Sequence, residues 1–380
     1  MEAGAAEPPE PYLHSLDLLR GFAAIAVCLY HTSFMLTPGH KVLPGGFLCV
    51  DLFFLLSGFV IARTYDHRIE GGMTFGAFCV QRLARLYPLF LITTLVGFFA
   101  VNAILYEQLH TFGGGRALLT LLGNLALIPN VLRPFNIGSM FPFNGATWSI
   151  FFEFYVNVLF FVCWQYLTIH RIVLIVSLSG ALLILTGARM HSLDFGTQGV
   201  DFLRTIPRVL FSFFFGVLIC RTRFGRSAWR LGPANALLGL GVVLGVLYLR
   251  DWLPASSAWI ADAGAVVLVF PIVLLAFTQM QFSGAQARIS AFLGNISYSV
   301  YLLQTPLMIF FSAMPRVLAH KQIANFAPWA EMVFIPILMT SAFLVWKYFE
   351  VPAKRAVRRW YAVALARSAK QHRTQQMEKA

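Results

Sequence analysis

Charge is scarce in this chain of 380 residues. Only 12% are Asp, Glu, Lys or Arg, about half of what a soluble domain carries. The acids are the scarcer sign, 16 against 29 Lys and Arg, for a formal net charge of +13. With 58% hydrophobic residues and a mean hydropathy of +0.71, a soluble globular protein is excluded. Paired cysteine spacing is missing too. Cys28, Cys49, Cys79, Cys163 and Cys220 lie in or beside apolar runs with no CxxC, which argues against a disulfide framework and a zinc site. Residues 1–11 are acidic and Pro-rich with no basic segment, so they read as a disordered leader and not as a cleavable signal peptide. No repeat, low-complexity linker, extra-membrane domain or transporter-like symmetry between halves is visible. The positive charge sits in short loops and the tail, where it sets topology and meets anionic headgroups, rather than on a domain suited to nucleic acid.

Long apolar runs are what the sequence has in abundance. Backbone polar groups have no water to bond in hydrocarbon, so these runs predict an all-α integral membrane protein. Spans are expected near 16–36, 47–63, 86–106, 146–167, 171–187, 204–220, 231–249, 259–280, 290–313 and 329–349. The run at 117–132 has only sixteen residues and contains Gly123, Asn124, Pro129 and Asn130, so it reads as a short re-entrant or interfacial segment. Counting it as a span would put the arginine-rich loop 221–230 and the basic tail 354–380 outside. About ten transmembrane helices, with N- and C-termini cytoplasmic, keep both on the positive side. The membrane unit is then 12–353. The polar stretch 64–81 is expected to be a connection between helices 2 and 3.

The first apolar helix carries Arg20 and His31, eleven residues apart. That spacing returns to within ~20° of the same helix face, ~16 Å further along. Polar groups at such depth are expensive and usually functional. Asp51 and Glu153 fall at a depth comparable to His31, so three titratable groups from three helices are expected to converge in the same half of the membrane. Arg82 and Arg85, with Arg20 and Arg63, gather at the opposite, cytoplasmic end. Guanidinium groups pair bidentately with phosphate oxygens, so this end suits a phosphorylated ligand. Each residue also has a plain structural reading. The arginines can anchor to headgroups, His31 can be an interhelical hydrogen-bonding residue, Asp51 can cap its helix, and Glu153 can pair with a Trp or Tyr.

These residues stand in recognisable motifs. LDLLRGFAAIAVCLYH carries the Arg20–His31 spacing, VDLFFLLSGF follows a pair of glycines, and Arg82-Leu-Ala-Arg85 precedes LYPLF. TWSIFFEFY surrounds Glu153, LGNISYSVYLLQTPL forms a late helix, and FEVPAKR closes the unit. In this order, over roughly residues 15–354, the chain resembles the membrane acyltransferase 3 family of bacterial integral-membrane O-acyltransferases. It departs from the pattern at Gln304, where the late helix often carries histidine, and at Val351, where arginine is common before the proline.

The resemblance implies transfer of an acyl group, often acetyl, from cytoplasmic acyl-CoA as co-substrate to a hydroxyl of a glycan, glycolipid or related acceptor. It implies a multi-pass protein of the bacterial inner membrane, of the stand-alone type without an SGNH domain, with no bound cofactor. On that reading His31 is the base, Glu153 or Asp51 orients it, and Arg20, Arg63, Arg82 and Arg85 bind acyl-CoA. Tyr298, Tyr301 and Gln304 on the late helix are acceptor-side candidates. Direct transfer and an acyl-His31 route are both compatible with the sequence. The other class left open is a transporter or flippase of an anionic or acylated lipid-linked substrate, which would use similar intramembrane charges.

Overall fold

A computed structural model describes residues 12–37, 41–102, 114–131, 138–222, 232 and 234–378. The expected leader, the end of the third span beyond 102 and most of the 221–230 loop lie outside them. The described residues are almost wholly helical. They form α1 (His14–Met35), α2 (Cys49–Glu70), α3 (Phe75–Ala100), α4 (Gly114–Leu125), α5 (Thr147–Cys163) and α6 (Ile169–Met190). The chain continues through α7 (Phe202–Arg221), α8 (Ala234–Leu249), α9 (Ala258–Thr278, with a π turn at Ala265–Val269), α10 (Gly284–Ala319) and α11 (Trp329–Val345). A second π turn, Trp346–Glu350, carries α11 into α12 (Val351–Glu378). Ten helices among the described residues are long and apolar enough to cross a membrane, α11 and the start of α12 counting as one. The exception is α4, whose twelve residues reach only ~18 Å against the ~30 Å of a hydrocarbon core. The short 117–132 segment is therefore no span.

Two boundaries differ from expectation. The 64–81 stretch is not a loop: α2 runs on to Glu70 and α3 begins at Phe75. Gly72 takes φ +86°, a left-handed conformation that ends a helix, and the Thr74 side chain caps α3 by accepting from the Ala77 amide at 3.3 Å. The tail likewise continues as helix rather than detaching at 354, because the π turn passes the chain on without a break.

The bundle is held by close helix crossings, which lipid rewards through packing rather than through the hydrophobic effect. α1 lies against α10, α2 against α7, α6 against α7, and α12 against α3. Gly58 on α2 and Gly216 on α7 sit so close to the facing backbone that a Cβ would fall 1.9 Å and 2.0 Å from the carbonyls of Phe213 and Leu55. On α1 and α10, Gly294 leaves room for Asp17, and Gly21 for Leu293. These crossings fix the azimuth of α1, α2 and α10, and therefore of His31, Phe53 and Tyr301.

Candidate active site

Among the buried polar groups, two arginine–carboxylate pairs and one imidazole bear on the site. The first pair is closed. Arg208 on α7 donates from Nε to both oxygens of Asp51 at 2.9 Å and from Nη2 to Oδ2 at 2.7 Å. Its remaining donors reach the carbonyls of Phe195 at 2.6 Å and Phe47 at 3.2 Å. Ser212 donates to Asp51 at 3.4 Å, and the guanidinium packs over the rings of Trp148 and Phe195. Both side chains are out of solvent, 1% and 0% exposed. Asp51 is thus committed to Arg208 and is not free to orient His31. Sequence reasoning missed Arg208; a lone arginine within an apolar run was the available signal.

The second pair is open. Arg82 on α3 makes one contact with Glu153 on α5, 3.1 Å from Nη2, and lies within side-chain hydrogen-bonding reach of Tyr65; Glu153 also accepts from Ser57 at 3.2 Å. Arg82 is 4% exposed, yet its Nε has no partner. An unpaired donor in such a place costs free energy unless a ligand satisfies it. This pair borders a cavity of about 60 Å³ that Arg20, Arg85, Tyr298 and Tyr301 also line. Val60, Ile61, Arg82 and Arg85 are shared with a wider cleft of about 470 Å³, to which Arg68, Lys354 and Arg358 add positive charge. The lining of α2 runs from Val50 to Arg68, so cavity and cleft together follow ~27 Å of helix.

The expected arginine cluster is thus largely assembled: Arg20, Arg82 and Arg85 face one space. Arg63 lies outside both linings, and Arg68 takes its place in the cleft. Lys354 and Arg358 of α12 join this lining because the helix continues past 354, where the sequence predicts a separate basic tail. Glu153 sits with the arginines and not with the imidazole. Helix counting gives height along the membrane but not azimuth, and a few residues of boundary shift move a group between halves.

His31 is half-buried on α1 at the other end. Its neighbour is Gln304, which lies within side-chain hydrogen-bonding reach. Even so, His31 Nδ1 and Gln304 Oε1 are both buried without a hydrogen-bond partner of good geometry. The carboxylate whose charge reaches the imidazole is Asp194, in the turn before α7, and Asp194 accepts from the hydroxyl of Tyr30. Asp194 was not foreseen, since it lies in a polar turn with no motif around it.

The late helix joins the two ends. Tyr298 lines the cavity with its hydroxyl bound to the Leu86 carbonyl at 2.6 Å. One turn on, the Tyr301 hydroxyl pairs with Ser149 at 2.7 Å, while its carbonyl accepts from Gln304 Nε2 at 2.9 Å. α10 therefore runs from the basic cavity to the neighbour of His31 within two turns.

A bundle of membrane-length helices with a basic cleft at one end and a half-buried imidazole at the other has the parts of an integral membrane enzyme. The sequence comparisons place it further: a family model described as an acyltransferase domain matches residues 13–349, and the chain belongs to this acyltransferase 3 family. It is 32% identical over 195 residues to "Protein 2 in picA locus" of Rhizobium radiobacter, covering 48% of this chain and 97% of that one. A "Putative acetyltransferase ORF330" of Acidianus two-tailed virus is 23% identical over 75% of this chain and 80% of its own length. The "Putative peptidoglycan O-acetyltransferase YrhL" of Bacillus subtilis is 33% identical over 50% of this chain but only 29% of that longer protein. No solved structure matches. The protein is a multi-pass membrane O-acyltransferase, and family membership decides for acyl transfer over the carrier reading.

Proposed function

We propose that the enzyme takes its acyl group, acetyl by preference, from acyl-CoA bound in the arginine cleft and passes it to a hydroxyl of a cell-envelope glycan or glycolipid. The observation that carries this reading is the buried, unsatisfied Arg82 Nε at the junction of cavity and cleft, with Arg20 and Arg85 beside it. Phosphate oxygens satisfy such donors with charge-assisted bonds. The basic cleft faces the cytosol, where the donor is found, in line with the positive-inside rule and with both termini cytoplasmic. The cytoplasmic membrane of a bacterium is the setting this implies. The relatives' names support acetyl as the group, and one supports a peptidoglycan acceptor.

His31 serves as the general base. It accepts the proton of the acceptor hydroxyl as the oxygen attacks the thioester carbonyl. The carbon–sulfur bond breaks, and the leaving thiolate takes the proton back from the imidazolium to give free CoA. Imidazole suits both halves of this exchange near neutral pH. Gln304 and Asp194, rather than Asp51 or Glu153, are the polar groups that reach the ring. The test is thioester consumption by the purified protein in liposomes supplied with acetyl-CoA and cell-envelope glycan. Acceptor-dependent release of CoA thiol with an acetyl mass gain on the glycan is the expected result. Movement of labelled lipid or glycan without thioester loss would reject it.

A further inference from the structure

The crossing of α1 and α10 sets one amide against one imidazole. Ala24 and Cys28 of α1 pack in one cluster with Val300 and Leu303 of α10. One turn further along each helix stand His31 and Gln304. α10 is pinned beside that turn by a second contact. Pro306 has no amide for the Leu302 carbonyl, and Asn144 donates to it instead at 3.0 Å. Gln304 is 0% exposed. Its amide nitrogen donates to the Tyr301 carbonyl at 2.9 Å, so its oxygen is the end left for the ring. That Oε1 is buried with no partner, and so is Nδ1 of His31. Each orphan is costly by itself, and the two side chains stand within hydrogen-bonding reach of each other. Asp194 reaches the ring by its charge, while its own hydrogen bond comes from Tyr30.

We infer that Gln304 sets the tautomer of His31: its carbonyl oxygen accepts from Nδ1–H, which leaves the lone pair on Nε2. A carbonyl can only accept, so the proton between the two atoms belongs to the ring. Nδ1 is the sealed nitrogen, whereas His31 as a whole is only half-buried. Nε2 is then the nitrogen that meets the acceptor hydroxyl. It takes the hydroxyl proton as the new carbon–oxygen bond forms and returns that proton to the leaving thiolate, while Nδ1 keeps its own throughout. Gln304 is a positioning residue, since it acts through His31. The inference rests on the reading of His31 as the base of acyl transfer.

The experiment is steady-state release of CoA thiol from acetyl-CoA by the purified full chain in liposomes with cell-envelope glycan. Wild type, Gln304→Met, Gln304→Glu and His31→Gln are compared. Each rate is divided by the CoA-binding sites counted by calorimetry on the same preparation, so a partly unfolded sample still reports. Methionine matches the length of glutamine but offers the ring no oxygen, whereas glutamate restores an acceptor. Gln304→Met should lower kcat about 10- to 100-fold, with the KM for acetyl-CoA within about twofold of wild type. Gln304→Glu should return kcat to within about threefold of wild type. The double variant His31→Gln/Gln304→Met should be no slower than His31→Gln, because Gln304 then has no ring to orient. Wild-type kcat in Gln304→Met, a glutamate variant as slow as the methionine one, or a further loss in the double variant would overturn the tautomer assignment while leaving His31 as the base. Full turnover in His31→Gln would remove the base and the assignment with it. No acceptor-dependent release by wild type would remove acyl transfer itself.

Discussion

Two of the buried arginine–carboxylate pairs, Arg208–Asp51 and Arg82–Glu153, are chemically alike and physically opposite. Arg208 and Asp51 make three mutual contacts of 2.7–2.9 Å, and the other guanidinium donors end on backbone carbonyls. Arg82 and Glu153 make one contact of 3.1 Å, leave Nε bare and border a cavity. Glu153 keeps 21% of its side chain exposed, where Asp51 keeps none. Desolvating two ions is costly, and a protein recovers that cost only by satisfying every donor and acceptor around them. The first pair does so and clamps α2 to α7. The second does not, and its unmet donor is what a bound anion would satisfy. A buried ion pair is therefore evidence of function to the degree that it is incomplete.

The largest expected effect is on the closed pair. Asp51→Ala or Arg208→Met alone strands a charge and should destabilise the fold by about 3–5 kcal/mol, read as a fall in thermal unfolding temperature in detergent. The double variant Asp51→Leu/Arg208→Met should recover most of that loss. Single variants as stable as wild type would break the comparison. Next, Arg82→Ala should weaken CoA binding about 10- to 100-fold, the loss of one or two charge-assisted bonds, while lowering the unfolding temperature less than Asp51→Ala does. A fall in stability with CoA affinity intact would make the open pair structural as well. A smaller effect of opposite sign is expected from Glu153→Gln. It removes the anion that competes for Arg82, so free CoA should bind as well as in wild type or up to about tenfold more tightly. Loss of CoA binding there would mean that Glu153 positions Arg82 rather than competing for it. The smallest effect separates the pairs by salt. Raising ionic strength from about 0.1 M to 0.5 M should weaken CoA affinity several-fold through the open cleft. The unfolding temperature, set by the dry Arg208–Asp51 pair, should hardly move.

Much of this was legible in the chain, and the limits were geometric. Apolar length marked the spans and kept α4 out of the count, because hydrocarbon thickness is a length criterion. The Arg20–His31 spacing and the Arg82–Arg85 pair were legible because helix periodicity relates residues on one element. What periodicity cannot supply is the partner on another element. Asp51 and Glu153 were placed with His31 by height alone, and each proved to face an arginine from a different helix. Arg208 stands in the apolar run of α7 and Asp194 in a polar turn, and neither position by itself names its partner. Lys354 and Arg358 read in sequence as part of a basic tail, whereas a π turn continues the helix and brings them beside α3.

The central claim is a division of labour: the arginine end binds the donor and His31 does the chemistry. Removing the base is the direct test. His31→Gln should bind free CoA within about twofold of wild type by calorimetry, while acceptor-dependent release of CoA from acetyl-CoA falls about 10²- to 10⁴-fold, the usual worth of a general base. Wild-type turnover in that variant, or CoA affinity lost along with turnover, would contradict the account.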